Sequence, residues 1–186
     1  MATTHAAVGT LLALPLFLVS PELAATAATA GWLGGVFPDL DVAVVEHRKT
    51  LHYPDYYWLL AFPLLGVAAA YPGPRTVAAA FFVLAAAVHS VSDVFGGSLG
   101  LRPWLADDER GVYFHSRKRW LRPRRWIRYD GSPEDLLVGT LCALPAISLF
   151  DGLLRWLLVG GIAVSVVYTT LRKKLVEWSP DWLLRL

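Results

Sequence analysis

The sequence has 186 residues, of which 55% are hydrophobic and only 17% charged, with a mean hydropathy of +0.47 and a net charge of +2. Soluble domains carry about 25% charged residues, and the apolar residues here fall in long blocks, so the composition excludes an ordinary water-soluble domain. One membrane-embedded domain over residues 1–186 accounts for the length. The single cysteine, Cys142, lies in an apolar run and cannot form an intrachain disulfide.

Six apolar segments predict an all-α integral membrane bundle. Pro15 is expected to bend the first helix, and Ser20-Pro21-Glu22 to end it and begin the second. No Lys or Arg precedes the first apolar run, which favours a retained helix over a cleaved signal peptide, the alternative reading. The predicted helices cover residues 4–19, 21–36, 55–71, 75–95, 133–150 and 152–171, with a basic loop at 96–133.

The second predicted helix is built from small residues. Its Gly31 and Gly35 stand at GxxxG spacing, which predicts close packing against a neighbouring helix. The segment is also shorter than the roughly 20 residues that cross a bilayer. We therefore expect a buried central helix, which spans fully or stops within the headgroup region.

The charges of the connections predict the orientation. Six spans place the two termini and the loops at 37–55 and 96–133 on one side, together with all but two of the 17 Lys and Arg residues. The positive-inside rule makes that side cytoplasmic. We expect a multi-pass protein of the cell (inner) membrane with cytoplasmic N- and C-termini.

Residues 34–52 concentrate acidic and imidazole side chains between two apolar segments. Under the predicted topology they meet, at the cytoplasmic face, polar residues from the ends of the first and fourth helices. Carboxylate oxygens and imidazole nitrogens hold Zn, Mn or Mg. The alternatives are aspartates that cap a turn and a His–Asp pair that only stabilises helix packing. The predicted metal ligands are His5, Asp39, Asp41, His52, His89 and Asp93.

So many donors indicate one or two divalent ions, either zinc or manganese/magnesium, and favour two-metal phosphoester chemistry. His47 is the candidate general acid or base, and Arg48 the candidate partner of a substrate phosphate or carboxylate. Both also belong to a charge run, residues 46–49, that is typical of a solvated loop. His115 stands among arginines and is expected to be solvated rather than a ligand.

A strongly basic patch with two interleaved tryptophans covers residues 117–128. Its favoured role is to lie on anionic headgroups and fix the topology. Nucleic-acid binding is the less favoured reading, because positive-inside loops are commonly this basic.

Several motifs occur in order: His5, the PDLD of 38–41, the His-Arg of 47–48 with His52 after it, and the HSVSD of 89–93. This order resembles the YdjM-like integral membrane proteins, described as inner-membrane metal-dependent hydrolases and sometimes as LexA-binding. Their pattern reads PD(I/L)D, HRGxTHS and HxxxD. The resemblance covers residues 4–104 and departs from the pattern at residues 49–53, where HRKTLHY replaces HRGxTHS, so the register of His52 is open.

The resemblance implies a metal-dependent hydrolase. A site at headgroup depth favours a phosphoester or an amphiphilic, lipid-like substrate. One rival is a non-catalytic membrane scaffold with a structural metal, whose basic loop recruits a cytoplasmic protein regulator. A metal-ion transporter is a further rival, but the last two helices carry almost no polar residues at mid-span.

Overall fold

The computed structural model describes residues 1–43 and 46–179, and within them the chain is mostly helical. Arg185, one of the residues in the predicted cytoplasmic charge, lies outside this part. The α-helices are α1 (Ala2–Leu11), α2 (Leu16–Val19), α3 (Pro21–Val36), α4 (Tyr56–Ala70), α5 (Pro74–Ser92), α6 (Pro133–Leu149) and α7 (Gly152–Trp178).

These helices follow the predicted segments closely. The first segment is interrupted before Pro15, so α1 and α2 together fill it, and Pro21 begins α3 at its first turn as expected. Only α7 runs clearly longer than predicted, because the basic residues 172–174 continue the helix. Three helical segments are long and apolar enough to cross a membrane: Ala2–Val19, Pro74–Phe95 and Gly152–Trp178.

Close helix packing confirms the predicted role of the glycines in α3. A Cβ on Gly31 would lie 2.2 Å from the carbonyl oxygen of Gly9 in α1, and one on Gly35 would lie 2.3 Å from that of His5. The core around α3 is mostly alanine. Such small side chains let helices approach without large voids, and here they bring the backbone of α1 against the end of α3.

The outer faces of the bundle expose large apolar side chains. Leu59 and Phe62 of α4 and Leu153 and Trp156 of α7 are 62–75% exposed. Apolar surface on this scale is unusual for a soluble monomer. It fits a protein whose helices have the length and hydropathy to cross a membrane.

The basic loop contains a β-hairpin that the sequence did not predict. Strand β1 (Val112–Phe114) pairs antiparallel with β2 (Arg119–Leu121), with Val112 opposite Leu121. Short 3-10 helices cover Pro103–Leu105 and His115–Arg117, the latter between the two strands. The hairpin packs against residues 46–55. In the sequence, these residues lie between the 3-10 helix Phe37–Ala43 and α4.

The elements assigned to one side by charge lie at one end of the bundle. Thr4 of α1 donates a hydrogen bond to Asp135 of α6 at 2.7 Å, and Arg172 of α7 donates to the carbonyl oxygen of Leu101 at 3.2 Å. The end of α5 also reaches this region through Gly97, against the backbone of Arg128 and Tyr129. This end carries the polar residues of the predicted site.

Replacing Gly35 with Ala is expected to destabilise the protein by about 1–3 kcal/mol, because its methyl group would overlap the backbone of His5. Thermal unfolding in detergent measures this effect. The matched control is Gly66→Ala in α4, where a Cβ would meet nothing within 4 Å. There the better helix propensity of Ala should stabilise the protein by up to about 1 kcal/mol. Equal melting temperatures for the two variants would contradict the close contact.

Candidate metal site

All the predicted ligands come together in one cluster. α1 supplies His5, and the 3-10 helix Phe37–Ala43 that extends α3 supplies both aspartates. The C-terminal end of α5 supplies His89, and Asp93 begins the next 3-10 turn. His52 comes from the irregular segment before α4. Asp41, His52, His89 and Asp93 are at most 4% exposed, so most of the cluster is shielded from solvent.

Four atoms of this cluster lie close together. His52 Nε2 lies 3.1 Å from Asp93 Oδ2 and 3.7 Å from Asp39 Oδ1. His89 Nε2 lies 3.6 Å and 3.4 Å from the same two oxygens. Imidazole nitrogens and carboxylate oxygens are common zinc ligands. By proximity, Asp39, His52 and His89 form one group that could hold a metal ion, and His5, His89 and Asp93 form another.

Three of the four atoms are buried without a hydrogen-bond partner among the residues that the structure describes: His52 Nε2, His89 Nε2 and Asp93 Oδ2. They lie close to one another but are not aligned to bond each other. A buried polar atom without a partner costs about 1–3 kcal/mol. A cation between these three atoms would satisfy all of them, so the cluster could hold a metal ion.

The outward nitrogens of both histidines are fixed by the protein. His52 Nδ1–H donates to Asp41 Oδ2 at 2.9 Å, and His89 Nδ1–H donates to the carbonyl oxygen of Gly35 at 2.6 Å. With Nδ1 protonated, a neutral imidazole keeps its Nε2 lone pair for the centre. This arrangement of a carboxylate or carbonyl behind a ligating histidine is the usual support in metal sites.

Asp41 therefore contacts His52 on the side of the ring opposite the Nε2 that faces Asp39 and Asp93. Its Oδ2 also accepts from the backbone N–H of Leu51 at 3.2 Å, and its Oδ1 accepts from His47 Nδ1–H at 2.8 Å. Asp41, His47 and His52 can form a further metal-binding group by proximity, but the 2.8 Å distance is that of a hydrogen bond. The His47 side chain is 25% exposed and stands at the edge of the cluster.

His5 also lies behind the four central atoms. Its ring stacks on that of His89 with centroids 3.8 Å apart, and its Nε2 lies 3.1 Å from Asp93 Oδ1. Its Nδ1 lies 3.2 Å from the hydroxyl oxygen of Ser92. His5 thus contacts the oxygen of Asp93 that points away from the centre.

Arg48 is 3% exposed and its guanidinium contacts protein groups. It donates to the carbonyl oxygen of Gly97 at 2.6 Å and to the carboxylate of Asp130 at 3.2 and 3.3 Å, and its Nε lies 3.5 Å from Asp93 Oδ2. Its backbone has a positive φ of 58°. This placement puts the charge of Arg48 in the interior of the protein, beside the Asp93 oxygen that also faces His52 and His89.

The electrostatic field of the site is negative. Burial by itself lowers the pKa of His52, but the carboxylates of Asp39, Asp41 and Asp93 outweigh burial and raise that pKa to about 11. Burial raises the pKa of Asp39, whereas the imidazoles of His52 and His89 hold it well below its usual range. Carboxylates that stay ionised in a buried pocket attract a cation, whether a proton or a metal ion.

The expectation that His115 is solvated is wrong. The ring is half-buried, and its Nε2–H points at the carbonyl oxygens of Lys49 and His52, at 2.9 and 3.0 Å. It also packs against Tyr53, with ring centroids 4.4 Å apart. Sequence reasoning missed this contact because it depends on the hairpin, and the short strands carry no clear alternation of apolar and polar residues.

No known protein family model, curated protein or solved structure matches this chain. The class of site is therefore defined by its own geometry: a buried His/Asp cluster that could hold a metal ion, at one end of a helical bundle with three helices able to cross a membrane.

Proposed function

We propose that this chain is a membrane-bound, metal-dependent hydrolase that acts on a phosphoester or an amphiphilic, lipid-like substrate at the cytoplasmic membrane face. The observation that supports it most is the proximity of three unpartnered buried atoms to one another and of both histidines to Asp39 Oδ1. The ordered motifs of residues 4–104 support placing the chain with the YdjM-like proteins. The charge asymmetry supports six spans with both termini in the cytoplasm.

The proposal takes one ion, and zinc as the best fit. The central atoms belong to two imidazoles and two carboxylates, a donor set that zinc binds more readily than magnesium, which prefers six oxygen ligands. The other predicted donors, on His5, Asp41 and His47, face protein groups at hydrogen-bonding distance. The further groups that could hold an ion, His5/His89/Asp93 and Asp41/His47/His52, share His89 and Asp93 or His52 with the central atoms, so the proposal takes a single site.

Catalysis requires one open position at the ion. His52, His89 and Asp93 are the three fully enclosed donors, whereas the side chain of Asp39 is 21% exposed. We assign ligation to the enclosed three and place Asp39 at the solvent-facing corner, where its carboxylate can bind or deprotonate a water molecule. A divalent ion held by these residues would supply Lewis-acid chemistry and would lower the pKa of a bound water molecule to near neutral.

His47 is placed to move a proton. Its Nδ1–H is held by Asp41 Oδ1, which leaves Nε2 free on a ring that is 25% exposed. Burial raises the pKa of Asp41, but hydrogen bonds from His47 and His52 hold that pKa well below its usual range, so the carboxylate stays ionised. A carboxylate behind an imidazole fixes the orientation of the ring. His47 thus remains the candidate general acid or base.

We assign Arg48 a positioning role in place of substrate binding. Its donors reach Gly97 and Asp130, and its charge faces Asp93. A substrate phosphate at the exposed edge, beside Asp39 and His47, would meet none of these buried donors. The charge of Arg48 instead keeps Asp93 ionised and in place.

The non-catalytic scaffold with a structural metal remains the rival. It shares the same four donors, and four protein ligands are typical of structural zinc. The exposure of Asp39 and the Asp41–His47 pair favour the hydrolase, because a closed structural site needs neither. A variant that keeps the metal and loses activity separates the two proposals.

His47→Gln is that variant. Zinc-loaded protein in detergent is expected to hydrolyse bis(4-nitrophenyl) phosphate, and His47→Gln to lower kcat by about 10²–10⁴-fold with an unchanged zinc content, because general acid–base catalysis is lost. Zinc analysis by mass spectrometry and release of nitrophenol measure the two quantities.

Two outcomes would contradict the proposed function. Wild-type protein that retains no zinc after dialysis against a weak chelator would remove the metal site. Protein that retains zinc but shows no chelator-sensitive hydrolysis of this diester or of a long-chain alkyl 4-nitrophenyl phosphate would favour the scaffold.

A further inference from the structure

We infer that His115, through the β-hairpin of residues 112–121, is a positioning residue for the ligand His52, an inference that rests on the proposed metal site. His52 is the one enclosed donor that does not come from the end of a helix. It lies in the irregular segment 46–55, which lacks a regular pattern of backbone hydrogen bonds. Apart from the turn bonds that Thr50 donates to the carbonyl oxygen of Glu46, the backbone of this segment is held by groups outside it.

Three contacts from the hairpin fasten this segment along its length. The backbone N–H of Tyr113 donates to the carbonyl oxygen of Arg48 at 2.9 Å. His115 Nε2–H donates to those of Lys49 and His52. The backbone N–H of Ser116 donates to Asp55 Oδ2 at 2.6 Å. The hairpin residues 113, 115 and 116 contact the segment in parallel order, at residues 48, 49 and 52, and 55. The hairpin therefore restrains the backbone of the segment along most of its length.

The middle contact is the one that reaches the ligand itself. The carbonyl groups of Lys49 and His52 can only accept, so Nε2 of His115 must carry the proton and is shared between them. The shared N–H therefore holds together the two ends of the turn formed by residues 49–52. Asp41 fixes the Nδ1 of His52 and accepts from the backbone N–H of Leu51, whereas His115 binds the carbonyl oxygen of His52 itself.

A ligand held in this way loses little conformational freedom when it binds metal. Releasing its backbone would let the ring leave the position in which Nε2 faces the centre. Loss of a supporting hydrogen bond behind a ligand typically costs about 10–100-fold in metal affinity. His115 contacts neither the four central atoms nor the exposed edge beside Asp39, so its effect must pass through the loop.

Two substitutions separate the donor of His115 from its ring. His115→Gln keeps an amide N–H₂ near the position of Nε2 but loses the packing against Tyr53, whereas His115→Phe keeps the ring and loses the donor. We expect His115→Phe to bind zinc about 10–100-fold more weakly than wild type, and His115→Gln to stay within about threefold of wild type. Competition with a chromophoric chelator measures the affinity in full-length protein. Arg117→Ala, an exposed change in the same 3-10 helix, is the control.

Hydrogen exchange of residues 46–55 gives a second readout that does not involve metal: it should rise in His115→Phe and stay near wild type in His115→Gln. Equal zinc affinity in wild type and His115→Phe would overturn the inference and leave the proposed function standing. Equal weakening in both variants would also overturn it, since the ring and not the donor would then matter. A wild-type protein without zinc affinity would remove the metal site and the inference together.

Discussion

Asp93→Asn is expected to lower zinc affinity by more than about 100-fold and to abolish metal-dependent hydrolysis. The substitution replaces a carboxylate with a neutral amide at a side chain that lies beside both central histidines and Arg48. Loss of a ligand should exceed the 10–100-fold effect of losing a supporting contact. Zinc analysis after dialysis and chelator competition measure this change directly.

Asp151→Asn is the matched control for Asp93→Asn. It makes the same chemical change on a side chain that is 86% exposed, in the turn before α7 and away from the cluster. It should leave zinc content and activity unchanged. Zinc retained by Asp93→Asn at the wild-type level would contradict the assignment of Asp93 as a ligand.

Arg48→Met is expected to lower the free energy of unfolding by about 3–5 kcal/mol, because it leaves buried carboxylate charge without its partner. Asp93 would lose the guanidinium 3.5 Å from its Oδ2, and the carbonyl oxygen of Gly97 would lose its donor. Methionine preserves much of the volume and has the same difficulty as Arg with a positive φ. Thermal unfolding in the presence of EDTA isolates this effect from metal binding.

The exposed Arg124→Met variant should change stability by less than about 0.5 kcal/mol. The same pair of variants separates the two roles considered for Arg48. A substrate-binding Arg48 predicts a raised KM with unchanged stability, whereas a buried counter-charge predicts lost stability. A stable Arg48→Met protein with a raised KM would contradict the positioning role.

Much of the candidate site could be predicted from the sequence, because helical spacing and loop charge determine where its candidate ligands lie. His89 and Asp93 stand four residues apart on one helix, and the charge of the loops assigns helix ends to a common side. Those two arguments bring His5, Asp39 and His52 together without any knowledge of distances. The helices could also be predicted from the sequence, since long apolar segments bounded by Pro and Gly leave few alternatives to a helix.

The roles within the cluster could not be predicted in the same way. Asp39 and Asp41 carry the same group one residue apart, and only the course of the 3-10 helix places one at the centre and the other behind His52. Arg48 is part of a charged run that suggests a solvated loop, yet it is buried by the hairpin and residues 97–130. Such contacts join residues far apart in sequence, where local patterns carry no information.

Gly35 has two structural roles, one in helix packing and one in the hydrogen bond that it accepts from His89. Its missing side chain lets α1 approach, and its carbonyl oxygen selects the tautomer of His89. A displacement of this backbone by a few tenths of an ångström would change both the fit of two helices and the direction of a metal-facing lone pair. Mutational gains in stability at this end of the bundle are therefore tied to metal affinity, and variants selected for one property should show a measurable change in the other.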